Sequence, residues 1–165
     1  MTLEEEISRV ALQEKTLQFE RFNTTVAWEL GSLVKAKAEA RGVAVAIDIT
    51  LAGAPLFFYA MAGTNPGNAD WIRRKRNTVM RFHKSSYLVG IETEKAGTTL
   101  EARTGSTPSE YVAVGGSFPI RLLGSGAVIG TVSVSGLPAR DDHNLLVIAL
   151  ADYLKADLAS IALDH

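Results

Sequence analysis

The chain contains no cysteine. Disulfides, thiolate nucleophiles, zinc–thiolate sites and cysteine-ligated iron–sulfur clusters are therefore excluded, and so is a covalent c-type haem linkage. Histidine is nearly as scarce: His83, His143 and the last residue, His165, are the only three. Their spacing is poor for a metal, and no metal site is expected. An excess of charge of one sign is also lacking. Seventeen Lys and Arg against eighteen Asp and Glu leave a formal net charge of -1, which argues against a nucleic-acid partner. No apolar run is long enough to span a bilayer. Met1-Thr2-Leu3-Glu4-Glu5-Glu6 is acidic and has no apolar centre, unlike a signal peptide. These absences lead to the expectation of a cytoplasmic protein with no membrane partner.

What is present is enough for one core. A length of 165 residues with 47% hydrophobic content suits a single domain over 1–165 and is too short for two ordinary ones. Thr2 with Glu5 forms a capping-box pattern opening a helix to about Lys15. Asn23 can cap a second helix, whose stripe is Ala27, Leu30, Val34 and Ala38, with Gly42 to stop it. From Val43 to Leu51 the apolar period falls to two, a strand; Gly53-Ala54-Pro55 is turn chemistry, and Leu56 to Met61 reads as its antiparallel partner. A helix is expected from about Asn68 to His83 and another from Ser85 or Ser86 to Glu94. The polar stretch from Gly97 to Ser109 is ambiguous. Strands follow at Phe118–Leu123 and Ala127–Val134 around Gly124-Ser125-Gly126. Asp141 is placed to cap a long last helix ending near Leu163. Tight turns between strands imply antiparallel pairing, with helices packed on the sheet: an α/β (α+β) domain.

Three segments have residues suited to chemistry. On the helix after Asn68, a step of about 100° per residue puts Trp71, Ile72, Val79 and Phe82 on one side, with Lys75 in the middle of that apolar stripe. An ammonium there needs an ion-pair partner, an escape to water along its stem, or a cleft in which it binds an anion or acts as a tuned base. Arg73, Arg74, Arg76 and Arg81, with Lys84, form a basic run that reads as phosphate or nucleic-acid binding, a solvated face, or pairing with acidic residues at a subunit contact. The second segment is Gly115-Gly116-Ser117-Phe118-Pro119, where paired glycines allow either a close approach of backbone amides to an anion or a plain turn into a strand. The third runs from Ser135-Gly136 to Asp142 and His143, at a strand end and a helix start. No Gly-x-Ser-x-Gly elbow supports a catalytic triad there, and catalytic residues are not assigned. If haem binds, His83 and His143 are the imidazoles that could meet it.

Taken together, Trp71-Ile72-Arg73-Arg74-Lys75-Arg76-Asn77, Phe82-His83-Lys84-Ser85-Ser86-Tyr87, Gly115 to Ile120 and Val132 to Pro138 resemble, in this order, a subgroup of the HbpS-like/GlcG-like "heme-degrading domain" family. The resemblance runs from about Phe22 to Tyr153. It implies a profilin-like central antiparallel sheet with helices on both faces, and assembly into homo-oligomers. It places Lys75 on the family's lysine-bearing helix. It matches Gly115, Gly116 and Pro119 to the glycine-rich turn before a strand, and Val134, Ser135, Gly136 and Asp142 to the strand end before the last helix. Asn68, Trp71, Lys75, Gly115, Gly116, Phe118, Pro119, Ser135, Gly136, Asp142 and His143 are thus expected to form a ligand site beside the sheet, with haem or another small anionic metabolite as ligand.

Three functions compete. The first is small-ligand binding at that site. The second is a non-catalytic oligomeric scaffold, supported by a last helix that looks apolar on several sides from Leu145 to Leu163. The third is an enzyme acting on a carbonyl or carboxylate substrate, with Lys75 as base or anchor.

Overall fold

Thr2 opens the first helix, α1 (Leu3–Thr16), with the expected capping box, and Asn23 caps α2 (Thr24–Ala40) by accepting from the amide of Val26. The computed structural model describes residues 1–163; His165 lies outside the described residues. The first hairpin is β1 (Ala46–Leu51) and β2 (Ala54–Ala60), antiparallel as expected. Its turn sits at Ala52 and Gly53, both with positive φ, the backbone twist that two-residue hairpins favour. β2 therefore starts at Ala54, earlier than the expected Leu56. Pro55 is tolerated because β2 is an edge strand and Pro55 lies at a bulge opposite Thr50.

The next helix, α3 (Pro66–Phe82), starts before the expected Asn68 because Asn65 is its cap and Pro66 its first residue, the position where proline's missing N–H is harmless. Asn68 completes the capping box by accepting from the Asn65 amide. Ser85 caps α4 (Ser86–Lys95), and the ambiguous stretch contains one short helix, α5 (Leu100–Thr104). β3 (Ser117–Arg121) and β4 (Val128–Ser135) make the second hairpin.

The last helix differs from the expectation at both ends. α6 (Ala139–Leu154) is preceded by Pro138 as cap residue, and Asp141 sits within the first turn, where its charge complements the helix dipole. Lys155 then takes a left-handed conformation, and a separate turn, α7 (Leu158–Ile161), follows.

The sheet order is β2-β1-β4-β3, antiparallel throughout. Alternation sends Ile47, Ile49, Phe118, Ile120, Val132 and Val134 to one face, where they pack with α2 and α6. The other face carries Asp48, Thr50, Ser117, Thr131, Ser133 and Ser135, all buried, and α3 lies across it. The expected sheet with helices on both faces is thus present. Its α3 side is a polar layer: Arg76 reaches Asp48 and Thr50, the Ser117 and Ser133 hydroxyls pair at 2.8 Å, and the Thr131 hydroxyl has no partner among the described residues.

The apolar flanks of α6 are covered by this chain itself, by α2, β3, β4, α4 and α7. The all-round apolar pattern that supported a scaffold therefore requires no second subunit. Exposed aromatic surface lies elsewhere, at Trp28, Phe58 and Tyr59 on and beside the β2 edge. Among the described residues no helix is long and apolar enough to cross a membrane.

Candidate functional site

Lys75 projects from the middle of α3 toward the junction of β4 and α6. Its ammonium donates to the Asp142 carboxylate Oδ2 at 2.8 Å and to the Val134 carbonyl at 3.2 Å. Both side chains of the pair are almost fully enclosed, 3% and 1% exposed. Asp142 is further held by the amides of Leu137, at 3.0 Å, and Gly136. Burial lowers the Lys75 pKa and raises that of Asp142, and in each case the partner's charge is the main opposing influence. Lys75 is therefore a buried ion pair. It is at the same time part of a cleft wall.

That cleft, of ≈ 280 Å³, is lined by Asn68, Trp71, Lys75, Ser135, Gly136 and Asp142, with Val114 and Leu137 as apolar walls. Six of the eleven expected site residues thus come together. The Asn68 amide donates to the Ser135 hydroxyl at 3.2 Å, which leaves that hydroxyl's own hydrogen free to point at a ligand. Larger clefts of ≈ 480 Å³ beside Tyr153 and ≈ 550 Å³ beneath α5 hold no comparable buried ion pair.

The other five expected residues lie around the cleft rather than in it. Gly116 has φ +121, and a Cβ there would stand 2.6 Å from the Lys75 nitrogen and 2.6 Å from the Val134 carbonyl oxygen. Gly115 passes so close to the first residue of α6 that a Cβ would meet the Ala139 carbonyl at 2.0 Å. The two glycines make room for the ion pair and for helix packing. Phe118 belongs to the apolar core on the opposite face, and Pro119 is a buried strand residue opposite Thr131.

His143 points toward α1. Its Nε2 is 2.8 Å from the Gln13 side-chain oxygen, and its ring stacks on Tyr87 at 4.7 Å, while Nδ1 has no partner among the described residues. Burial, helped by the Arg140 charge, pushes its pKa down from 6.5 to about 3. The unfolded chain therefore takes up this proton as pH falls below 6.5 and the folded protein does not. Stability should fall with pH in that window by up to about 1.4 kcal/mol per pH unit. Glu14 and Asp142 act in the opposite sense, because burial raises their pKa values and the folded state binds their protons first. The histidine contribution is cleanest above the carboxylate range, between about pH 5 and 6.5. Urea unfolding across that window should show the slope in the wild type and lose it in His143→Gln; equal slopes would refute the assignment.

The basic run has a role that its spacing does not reveal. Arg73 donates to the Ser109 carbonyl and Glu110, Asn77 to the Glu110 carbonyl, and Arg81 to Ser106 and the Thr104 carbonyl. The Thr78 hydroxyl exchanges hydrogen bonds with Val112. One flank of α3 thus clamps the segment 104–112, which leads directly to Val114 and Gly116. Arg74 instead pairs with Asp70 and lies over the Trp71 ring at 4.2 Å.

A haem ligand is not among the cleft residues. His143 is sealed against Gln13 and Tyr87, and His83 is the exposed cap at the far end of α3. The one amine in the cleft is committed to Asp142. The residues present do not fit axial coordination of haem iron.

A family model described as "Haem degrading protein HbpS-like" matches residues 22–151. A UPF0303 protein of Rhizobium leguminosarum bv. trifolii is 49% identical, over 99% of this chain and 98% of the relative. Among solved structures, that of the Ybr137w protein superposes with a TM-score of 0.84 at 28% identity, covering 94% of this chain and 88% of the other. The HbpS structure does so with a TM-score of 0.63 at 20% identity, covering 83% and 92%, a likeness of fold.

Proposed function

The chain belongs to the HbpS-like family, and we propose that it binds a small carboxylate or similar anion, with the buried ammonium of Lys75 as anchor. One observation carries this reading. Lys75 lines the cleft, yet its ammonium gives hydrogen bonds only to Val134 and Asp142 among the described residues. An ammonium has three N–H donors, and the third is available to an oxygen entering the cleft. The Ser135 hydroxyl and the second N–H of Asn68 are the donors beside it. A two-oxygen anion suits this set. Haem, which the family's description names, would lack an iron ligand here. Paired with Asp142, Lys75 is protonated and serves as an anchor; it is not the free amine that a general base requires.

Ligand-observed NMR with acetate and inorganic phosphate tests this, since it detects weak binding. Saturable binding of at least one probe is expected, weakened about tenfold or more in Ser135→Ala or Asn68→Ala, as for loss of a hydrogen bond to a charged group. Both variants leave the ion pair intact; Ser135→Ala should unfold near the wild-type urea midpoint, whereas Asn68→Ala, which also removes the capping-box acceptor of the Asn65 amide, should lose about 0.5–2 kcal/mol. Binding of neither probe, or binding indifferent to both substitutions, would overturn the proposal.

A further inference from the structure

Resting on that reading, we infer that the preferred ligand carries a single flat ring: the cleft is a site for a monocyclic aromatic or heteroaromatic carboxylate, with the ring on Trp71 and the carboxylate at Lys75. Trp71 is 39% exposed and lines the cleft. A part-exposed indole beside a buried ammonium offers a ligand a large aromatic surface to remove from water. The indole is already held in place. The Arg74 guanidinium stacks over the ring at 4.2 Å and is fixed by a 3.0 Å hydrogen bond to Asp70, which also pairs with Arg73. A platform ordered before binding need not lose side-chain freedom when a ligand stacks on it.

The spacing agrees with the chemistry. Trp71 and Lys75 are four residues apart on one helix, so their side chains rise as neighbours about 5–6 Å apart. A small molecule can span that distance with a ring at one end and a carboxylate at the other. Val114 and Leu137 supply the apolar walls a ring requires. The volume points to a small ligand: ≈ 280 Å³ falls just below the range of about 300–1,000 Å³ usual for small-molecule pockets. A space of this size suits one ring.

The protein has two tryptophans, and the other, Trp28, packs against Phe57 on α2 and β2. Trp28→Phe therefore leaves Trp71 as a single fluorescent reporter. In that background benzoate and nicotinate should change Trp71 emission saturably and bind about three- to tenfold more tightly than acetate, as for one added aromatic contact. Trp71→Leu should erase this preference, read by NMR, while acetate binding persists; Trp71→Phe should restore part of it. Equal affinity for acetate and benzoate would sink the ring inference and leave the anion cleft standing. A ring preference that survives Trp71→Leu would also overturn it. Binding of none of the carboxylates would remove the cleft reading and the inference together.

Discussion

Lys75→Met should lower the free energy of unfolding by about 3–5 kcal/mol, the usual effect of stranding one member of a buried pair. Methionine keeps the stem and fills most of the space, so little of the loss comes from a cavity. What is lost is the partner of Asp142, whose side chain is 1% exposed. Asp142 keeps the amides of Leu137 and Gly136, which places the loss toward the lower end of the range. Part of the charge is then relieved by protonation, since burial already raises the Asp142 pKa and Lys75 is the main influence opposing it. Relative to the wild type, the variant should therefore recover stability as pH is lowered toward the carboxylate range: the folded state then binds the Asp142 proton before the unfolded state does. The double variant Lys75→Met/Asp142→Leu removes both charges, a replacement that is often neutral by itself, but it also takes the acceptor from the Leu137 amide, so it should lie about 1–3 kcal/mol below the wild type. Urea unfolding at pH 7 and pH 5 checks all three expectations. A loss below about 1 kcal/mol in the single variant would mean that water reaches Asp142 and the pair is not sealed.

The need behind this pair is visible in the sequence, and its solution is not. A lysine amid Trp71, Ile72, Val79 and Phe82 on one helical face must be compensated, and 3.6-residue periodicity alone establishes that. Asp142 is 67 positions away. Nothing local marks it as the partner, because an acidic residue near a helix start is already accounted for by the helix dipole. Periodicity likewise locates the strands but not which face of the sheet is polar inside. Asp48, Thr50, Thr131 and Ser133 alternate with apolar residues as a half-exposed strand would, and only the placement of α3 shows that they are buried.

Local chemistry decided the errors at element ends. Asn68 looks like a start because polar residues cluster there, but Asn65 and Pro66 form the stronger cap. The last helix looks continuous to Leu163 because leucines recur through 154–163; the left-handed Lys155 divides it. His143 is one of two imidazoles that could meet a ligand by residue type, and its actual environment is the α1 interface. Gln13 and Tyr87, which seal it, lie on helices that the linear sequence does not bring together. The basic run on α3 had a neutral net charge around it as its main clue. The clamp on 104–112 follows from the carbonyls that this loop turns toward α3, and backbone carbonyls carry no residue-type signal.

Gly116→Ala should be among the most damaging single substitutions in the chain, with an expected loss of about 3 kcal/mol or more. Two causes act together. The φ of +121 is one that side chains rarely adopt, and such backbone strain costs about 1–3 kcal/mol. The new Cβ would also stand 2.6 Å from both the Val134 carbonyl oxygen and the Lys75 nitrogen. The carbonyl cannot move far: Val134 is a central-strand residue whose amide donates to Gly116 at 2.7 Å. The flexible end is the ammonium, so Lys75 is the group displaced, and with it the hold on Asp142. Part of the loss should therefore disappear where Lys75 carries no ammonium. In the Lys75→Met/Asp142→Leu background, Gly116→Ala should cost less than in the wild type by about 0.5–3 kcal/mol, the coupling expected of groups in contact. Gly115→Ala is the control. The nearest atoms its Cβ would meet are the Ala139 carbonyl and Tyr87, not the Lys75 nitrogen, so its loss should be the same in both backgrounds. Equal losses for Gly116→Ala in the two backgrounds would show that the turn restricts backbone alone and that Gly116 does not shape the seat of the ammonium.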